Sequence, residues 1–216
     1  MYSEDYIKLY SACRCNDLDA YTELKRRSDE GDNLAKGYHG MILCRKLDVI
    51  VPKDKKKALP LMTEIFDWLQ EKEDKDEYDS AHVWYLLGHC NYVGMVVGKR
   101  DPVKAFNYNK RAADKGHAIA QCNVGYYFDT GSGVKQSLET AVSYYHLSAA
   151  QGYPVALSNL ALNYELGEGC ERDYDTAVQY YEQACALNYA DAQYGLAMCY
   201  FSARGVRKDS KQGFEL

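Results

Sequence analysis

The sequence predicts an all-α fold, an α/α superhelical solenoid of about five and a half antiparallel helix-pair repeats. Three observations predict it. First, residue types recur every 36 positions: Ala105, Ala141 and Ala177; Tyr108, Tyr144 and Tyr180; Gly133, Gly169 and Gly205; Phe128, Tyr164 and Tyr200. Second, each period holds two apolar-periodic stretches separated by a glycine-rich turn. Third, neither stretch can bury its apolar face within its own repeat, so neighbours must cover it and a curved rod results.

The clearest repeat runs from about Ile119 to Tyr153. In its first helix Ala120, Val124 and Phe128 fall at i, i+4 and i+8, on one face. Thr130-Gly131-Ser132-Gly133-Val134 then turns the chain, with glycine supplying positive φ. A second helix follows from Ser137 to Gln151, ended by Gly152, and Pro154 opens the next first helix. The following repeat restates this with Ala156, Leu160, Tyr164, Gly167-Glu168-Gly169, Ala177, Tyr180 and Tyr181. A further one opens with Ala192, Leu196, Tyr200 and Gly205 and stops at Leu216.

Upstream the pattern thins. Ala20, Gly31 and Ala35 keep the spacing of Ala105, Gly116 and Ala120, so Asp17–Asp29 is expected as a second helix. Asp54–Lys72 is expected as another, lengthened or followed by a charged loop, because Glu71-Lys72-Glu73-Asp74-Lys75-Asp76-Glu77 coincides with extra residues there. The expected units are 1–31, 32–79, 80–116, 117–152, 153–188 and a truncated 189–216.

The run of leucine-glycine, tyrosine, glycine loop, alanine, paired tyrosines and paired alanines resembles the Sel-one-like repeat family over roughly Ala81 to Gly205. That resemblance implies a tetratricopeptide-type array acting as a non-catalytic scaffold or adaptor that organises protein complexes. Two other classes stay open under it. One is a regulatory or targeting module of a larger enzyme such as a kinase. The other is a hydrolase of the cysteine-rich, penicillin-binding type, whose repeats carry paired cysteines that this chain lacks.

Composition narrows the partners. The formal net charge of −5 and pI near 5.6 argue against a general nucleic-acid binder. No apolar run approaches the roughly 18 residues of a membrane span. The start, Met1-Tyr2-Ser3-Glu4-Asp5, lacks the pattern of a signal peptide, so cytoplasm is the expected location. The eight cysteines have no regular pair spacing, and several fill slots held elsewhere by small residues, as Cys185 replaces Ala113 and Ala149. They read as reduced packing residues.

No motif in the sequence carries catalytic or metal-binding chemistry. Gly131-Ser132-Gly133-Val134-Lys135 lacks the ending of a phosphate loop. The five histidines show no metal-ligand spacing, Cys13-Arg14-Cys15 is not a redox pair, and no serine nucleophile motif occurs. No catalytic residue, metal or cofactor is assigned.

What remains is a surface. Twenty-one tyrosines are present, and the pairs Tyr144-Tyr145 and Tyr180-Tyr181 are expected in the inter-repeat core, their first members in the repeating slot. First helices of such arrays line the concave face. With Gly88, Gly125, Ala161 and Ala197 as helix crossings, positions three before and one after them face the groove: Tyr85, His89, Cys122, Tyr126, Ser158, Leu162, Tyr194 and Met198. Asp129 and Glu165, in the same slot of successive repeats, add acid at its edge. Residues 117–191 hold nine acidic and two basic side chains, a net of −7. The expected partner is therefore a protein or peptide with a basic segment. The apolar last first helix, backed by a short stub bearing Gly213, also suggests self-association through Ala190–Leu216.

Overall fold

A computed structural model describes residues 3–44, 54–74, 80–94 and 96–215. Among these every regular element is a helix, and the helices form antiparallel pairs. The pairs are α1 (Ser3–Arg14) with α2 (Leu18–Asp29), α3 (Asn33–Cys44) with α4 (Lys55–Lys72), and α5 (Ser80–Val93) with α6 (Pro102–Asp114). They continue as α7 (Ala118–Thr130) with α8 (Leu138–Ala149), α9 (Pro154–Leu166) with α10 (Tyr174–Ala186), and α11 (Ala190–Ser202) with α12 (Ser210–Glu215). The expected helices at Asp17–Asp29 and Asp54–Lys72 are α2 and α4, each started by its aspartate. The charged segment after Lys72 lies partly outside the described residues.

Second helices start alike. Asp17, Asp54, Asp101, Ser137 and Asp173 each accept a backbone N–H from the first turn of α2, α4, α6, α8 and α10. Asp209 does the same for α12. Such caps satisfy donors that a helix start leaves without intrahelical partners. First helices start differently. Tyr153 and Tyr189 precede α9 and α11 without a side-chain cap. His117, in the same repeat slot, caps α7 by accepting the Ala120 N–H on Nδ1.

The chain divides into two compact units. One holds residues up to Ala120 with Ser132–Val134; the other holds Gln121–Gly131 with Lys135 onward. The first is centred on Tyr10, Tyr38, Met41, Ile42, Met62, Ile65, Leu69, Leu86 and Leu87, all buried. The second is centred on smaller residues, including Ala141, Leu160, Ala161, Ala177 and Leu196, around the buried rings of Tyr145 and Tyr181.

Within a pair the helices cross on small residues. A Cβ added at Gly125 would lie 3.1 Å from the Ala141 carbonyl oxygen and 2.6 Å from the Tyr145 ring. Gly88 meets the Ala105 carbonyl in the same way, and Gly213 meets that of Ala197, each at 3.3 Å. Ala141 is fully buried at this crossing, so Ala141→Leu is expected to overpack it and cost roughly 1–3 kcal/mol. Thermal unfolding would show this as a lowered midpoint; an unchanged midpoint would mean that the crossing lies elsewhere.

The tyrosine pairs divide their work. The second members, Tyr145 and Tyr181, are buried against the partner first helix. The first members stack on first-helix rings: Tyr144 on Phe128 and Tyr180 on Tyr164, centroids 5.9 Å apart in both cases. The seven cysteines whose side chains are described are free thiols, several of them buried. Burial pushes the Cys13 thiol up to about 12 and the Cys199 thiol up to about 11, consistent with inert packing groups.

Candidate interaction surface

Repeat geometry sorts the expected surface residues by slot. The position one after each crossing holds Tyr126 on α7, Leu162 on α9 and Met198 on α11, one per repeat. All three are exposed, by 43%, 47% and 40%. Leu166, one turn beyond Leu162, is exposed as well. The first helices α9 and α11 touch, so Leu162 and Met198 are exposed apolar side chains at one slot of neighbouring first helices.

The position three before each crossing behaves differently. Cys122 is buried, Ser158 half-buried and Tyr194 71% exposed. Cys122 itself is covered, and the Asn159 amide of α9 donates to its Sγ at 3.9 Å. Tyr85 and His89, in the other unit, are buried too. Tyr85 stacks on His117 at 4.6 Å between ring centroids. Contrary to the sequence expectation, Tyr85, His89 and Cys122 present no surface to a partner.

The two acids, Asp129 and Glu165, are in different states. Tyr181 donates its hydroxyl hydrogen to Glu165 at 3.1 Å, and the Arg204 guanidinium pairs with the same carboxylate at 2.7 Å. One repeat earlier Tyr145 donates to Asp129 over a longer 3.5 Å. Burial, reinforced by the negative charge of Glu168, raises the Asp129 carboxyl above its ordinary value. The sequence reading missed Arg204, whose signal is its place in the glycine turn of the repeat that follows Glu165.

A polar cluster lies inside the first unit. His117 takes the Ala120 N–H on Nδ1, so its proton sits on Nε2 and is donated to the Tyr38 oxygen at 2.8 Å. Tyr38 in turn donates to His82 Nδ1 at 2.7 Å. Burial, with His82 adjoining, holds His117 well below the ordinary histidine range. The chain of donors is satisfied and enclosed, which makes it structural rather than a site open to substrate. Among the described residues no group of three or more His, Cys, Asp or Glu side chains is placed to hold a metal, and no helix is long and apolar enough to cross a membrane.

Helix pairs joined by glycine turns and repeated in register define an α/α repeat protein. The chain matches the Sel1 repeat over residues 85–117, 118–153, 154–189 and 190–216, and it belongs to that family. Similar solved structures include a Sel1 repeat protein from Oxalobacter formigenes (TM-score 0.60, 24% identity, covering 99% of this chain and 82% of that one). They also include c5321, a protective antigen of uropathogenic Escherichia coli displaying an SLR fold (TM-score 0.55, 23% identity, 89% of this chain and 46% of that one). A third is the immunity protein Pa5087 of Pseudomonas aeruginosa (TM-score 0.56, 20% identity, 98% of this chain and 78% of that one). At these identities the likeness establishes the fold. No curated protein sequence matches the chain. Sel1 repeat proteins generally act as protein-interaction scaffolds and are typically non-catalytic.

Proposed function

We propose that the chain is a protein-interaction scaffold or adaptor that binds a partner peptide or domain on the outward face of its first helices. The observation that carries this reading is the row Tyr126, Leu162 and Met198, three exposed apolar side chains at one slot of successive repeats. Exposed apolar anchors rimmed by polar groups are what a recognition surface needs, since a few such residues supply most of the binding energy. Tyr194 and half-buried Ser158 extend the row, and Asp129 and Glu165 give it an acidic edge suited to a basic partner segment. Charge at that edge acts mainly on association rate and weakens with salt. Self-association through Ala190–Leu216 is a second use of exposed apolar surface, there contributed by Tyr194 and Phe214. A cytoplasmic adaptor and a targeting module of a larger protein would employ the same face.

Leu162 and Leu147 provide the test, because they are similarly exposed (47% and 52%) on a first and a second helix. Leu162→Asp is expected to weaken the complex with a partner isolated from the native source by about tenfold or more, the loss of one anchor. Leu147→Asp should leave it unchanged. Equal losses, or a loss confined to Leu147, would place binding on another face.

A further inference from the structure

The acidic edge holds the same device twice, once completed and once open. Glu165 lies near the end of α9, and its counter-charge Arg204 lies in the turn after α11, one repeat further on. Asp129 lies near the end of α7, and the residue equivalent to Arg204 for it is Glu168, in the turn after α9. The two turns share a backbone. Gly167 and Ala203 both take left-handed conformations, with φ of 74° and 54°. The next N–H bonds back into the helix in each case, Glu168 to the Asn163 carbonyl at 3.0 Å and Arg204 to the Cys199 carbonyl at 3.1 Å. The supporting hydroxyl is also repeated, Tyr145 toward Asp129 and Tyr181 toward Glu165. One repeat therefore carries carboxylate and guanidinium in contact, and the preceding repeat carries two carboxylates in the same frame.

Two acids in a frame built for an ion pair are unfavourable; the Asp129 carboxyl is raised chiefly by burial, and the charge of Glu168 adds to the rise. The nearest arginine in sequence, Arg172, is turned instead over the Tyr174 ring, 5.6 Å from its centroid. On the other side of Asp129, one helical turn back, stands exposed Tyr126, with Leu162 in the same slot of α9.

We propose that Asp129 and Glu168 receive an arginine side chain of the bound protein partner, its guanidinium standing where that of Arg204 stands beside Glu165. Tyr126 and Leu162 flank the arginine's methylene stem. The planar fork of a guanidinium serves two carboxylates at once, which a lysine ammonium does not, so arginine is the preferred residue. This inference rests on the first-helix face being the binding face, and it names that face's charged anchor.

The test titrates the full chain with an acetylated, amidated Leu-Arg-Leu peptide and its citrulline counterpart, followed by backbone amide NMR. The arginine peptide is expected to shift the resonances of Tyr126, Asp129, Leu162 and Glu168. The citrulline peptide, same shape without the charge, should bind about tenfold more weakly, as removing charge-assisted hydrogen bonds requires. Asp129→Asn should cost a similar factor. Glu168→Arg supplies the guanidinium from within, so it should abolish peptide binding while leaving the melting midpoint at or above that of the parent. If arginine and citrulline peptides shift the face equally, the guanidinium site is overturned and the face reading stands. If the arginine peptide binds but ignores both substitutions, or does not bind, the site is also overturned. The Leu162→Asp comparison then decides the face reading separately.

Discussion

Gly169→Ala is expected to destabilise the second unit by about 3 kcal/mol, combining left-handed strain with overpacking against backbone. Gly169 has a φ of 73°, a conformation costly for any residue with a Cβ. A Cβ there would also overlap the Leu138 carbonyl at the start of α8, and that backbone cannot move without disturbing the Ser137 cap. The contact is a register lock between repeats. Gly133 meets the Pro102 carbonyl and Gly205 the Tyr174 carbonyl in the same manner. The turn of one repeat thus seats on the second-helix start of the repeat before it. Gly152→Ala is the control, since its φ is also positive, 74°, but nothing lies within 4 Å of an added Cβ. It should lose only the strain, about 1 kcal/mol. Calorimetry or denaturant titration separates the two; equal losses would show that the lock does not exist.

Tyr38→Phe is expected to cost the first unit about 3 kcal/mol, because it strips a partner from two buried ring nitrogens at once. His117 loses the acceptor for Nε2–H and His82 the donor to Nδ1. The cluster also sets a pH dependence. His117 is held below its ordinary value when folded, chiefly by burial, so the unfolded chain binds a proton that the folded chain refuses. Its contribution to stability is fully present above the unfolded value near 6.5 and is lost as pH falls below it, by up to about 1.4 kcal/mol per pH unit. The groups shown against it, the His82 and Tyr85 rings and the Tyr38 hydroxyl, carry no negative charge to oppose that direction; the Asp32 carboxylate is held further off by Tyr6, which packs on His82. Burial lowers His39 and His146 also, in the same direction. His117→Asn keeps a cap acceptor for α7 and removes one titrating group, so the slope of stability between pH 6.5 and 5 should flatten. A slope unaltered by that substitution would mean that His117 is protonated in the folded chain.

The sequence carried the helix pairing well because the repeat period samples the same packing environment again and again. Alanines at 141 and 177 are fully buried, and glycines at 133, 169 and 205 press on the backbone of the preceding repeat, so these slots resist larger side chains. The surface was half legible. Tyr126, Leu162 and Met198 were placed by counting from the crossings, and they are exposed. Cys122 was placed by the same counting and is buried, and Asn159 of a neighbouring first helix, which period alone does not orient, donates to its Sγ. Tyr85 and His89 failed for a related reason: α5 is buried on nearly every side, so no single face of it points to solvent. The Asp129 and Glu165 slot was found, but its counter-charge was not. Arg204 is distant in sequence from Glu165, and only the folded turns bring the two slots together.

Amide hydrogen exchange on the complex between this chain and its isolated partner tests the central claim most directly. Binding on the first-helix face predicts slowed exchange in the C-terminal halves of α7, α9 and α11, around Tyr126, Leu162 and Met198, with α8 and α10 unchanged. Protection centred on Leu147 and the outer side of α8 and α10, with none on α9, would contradict it.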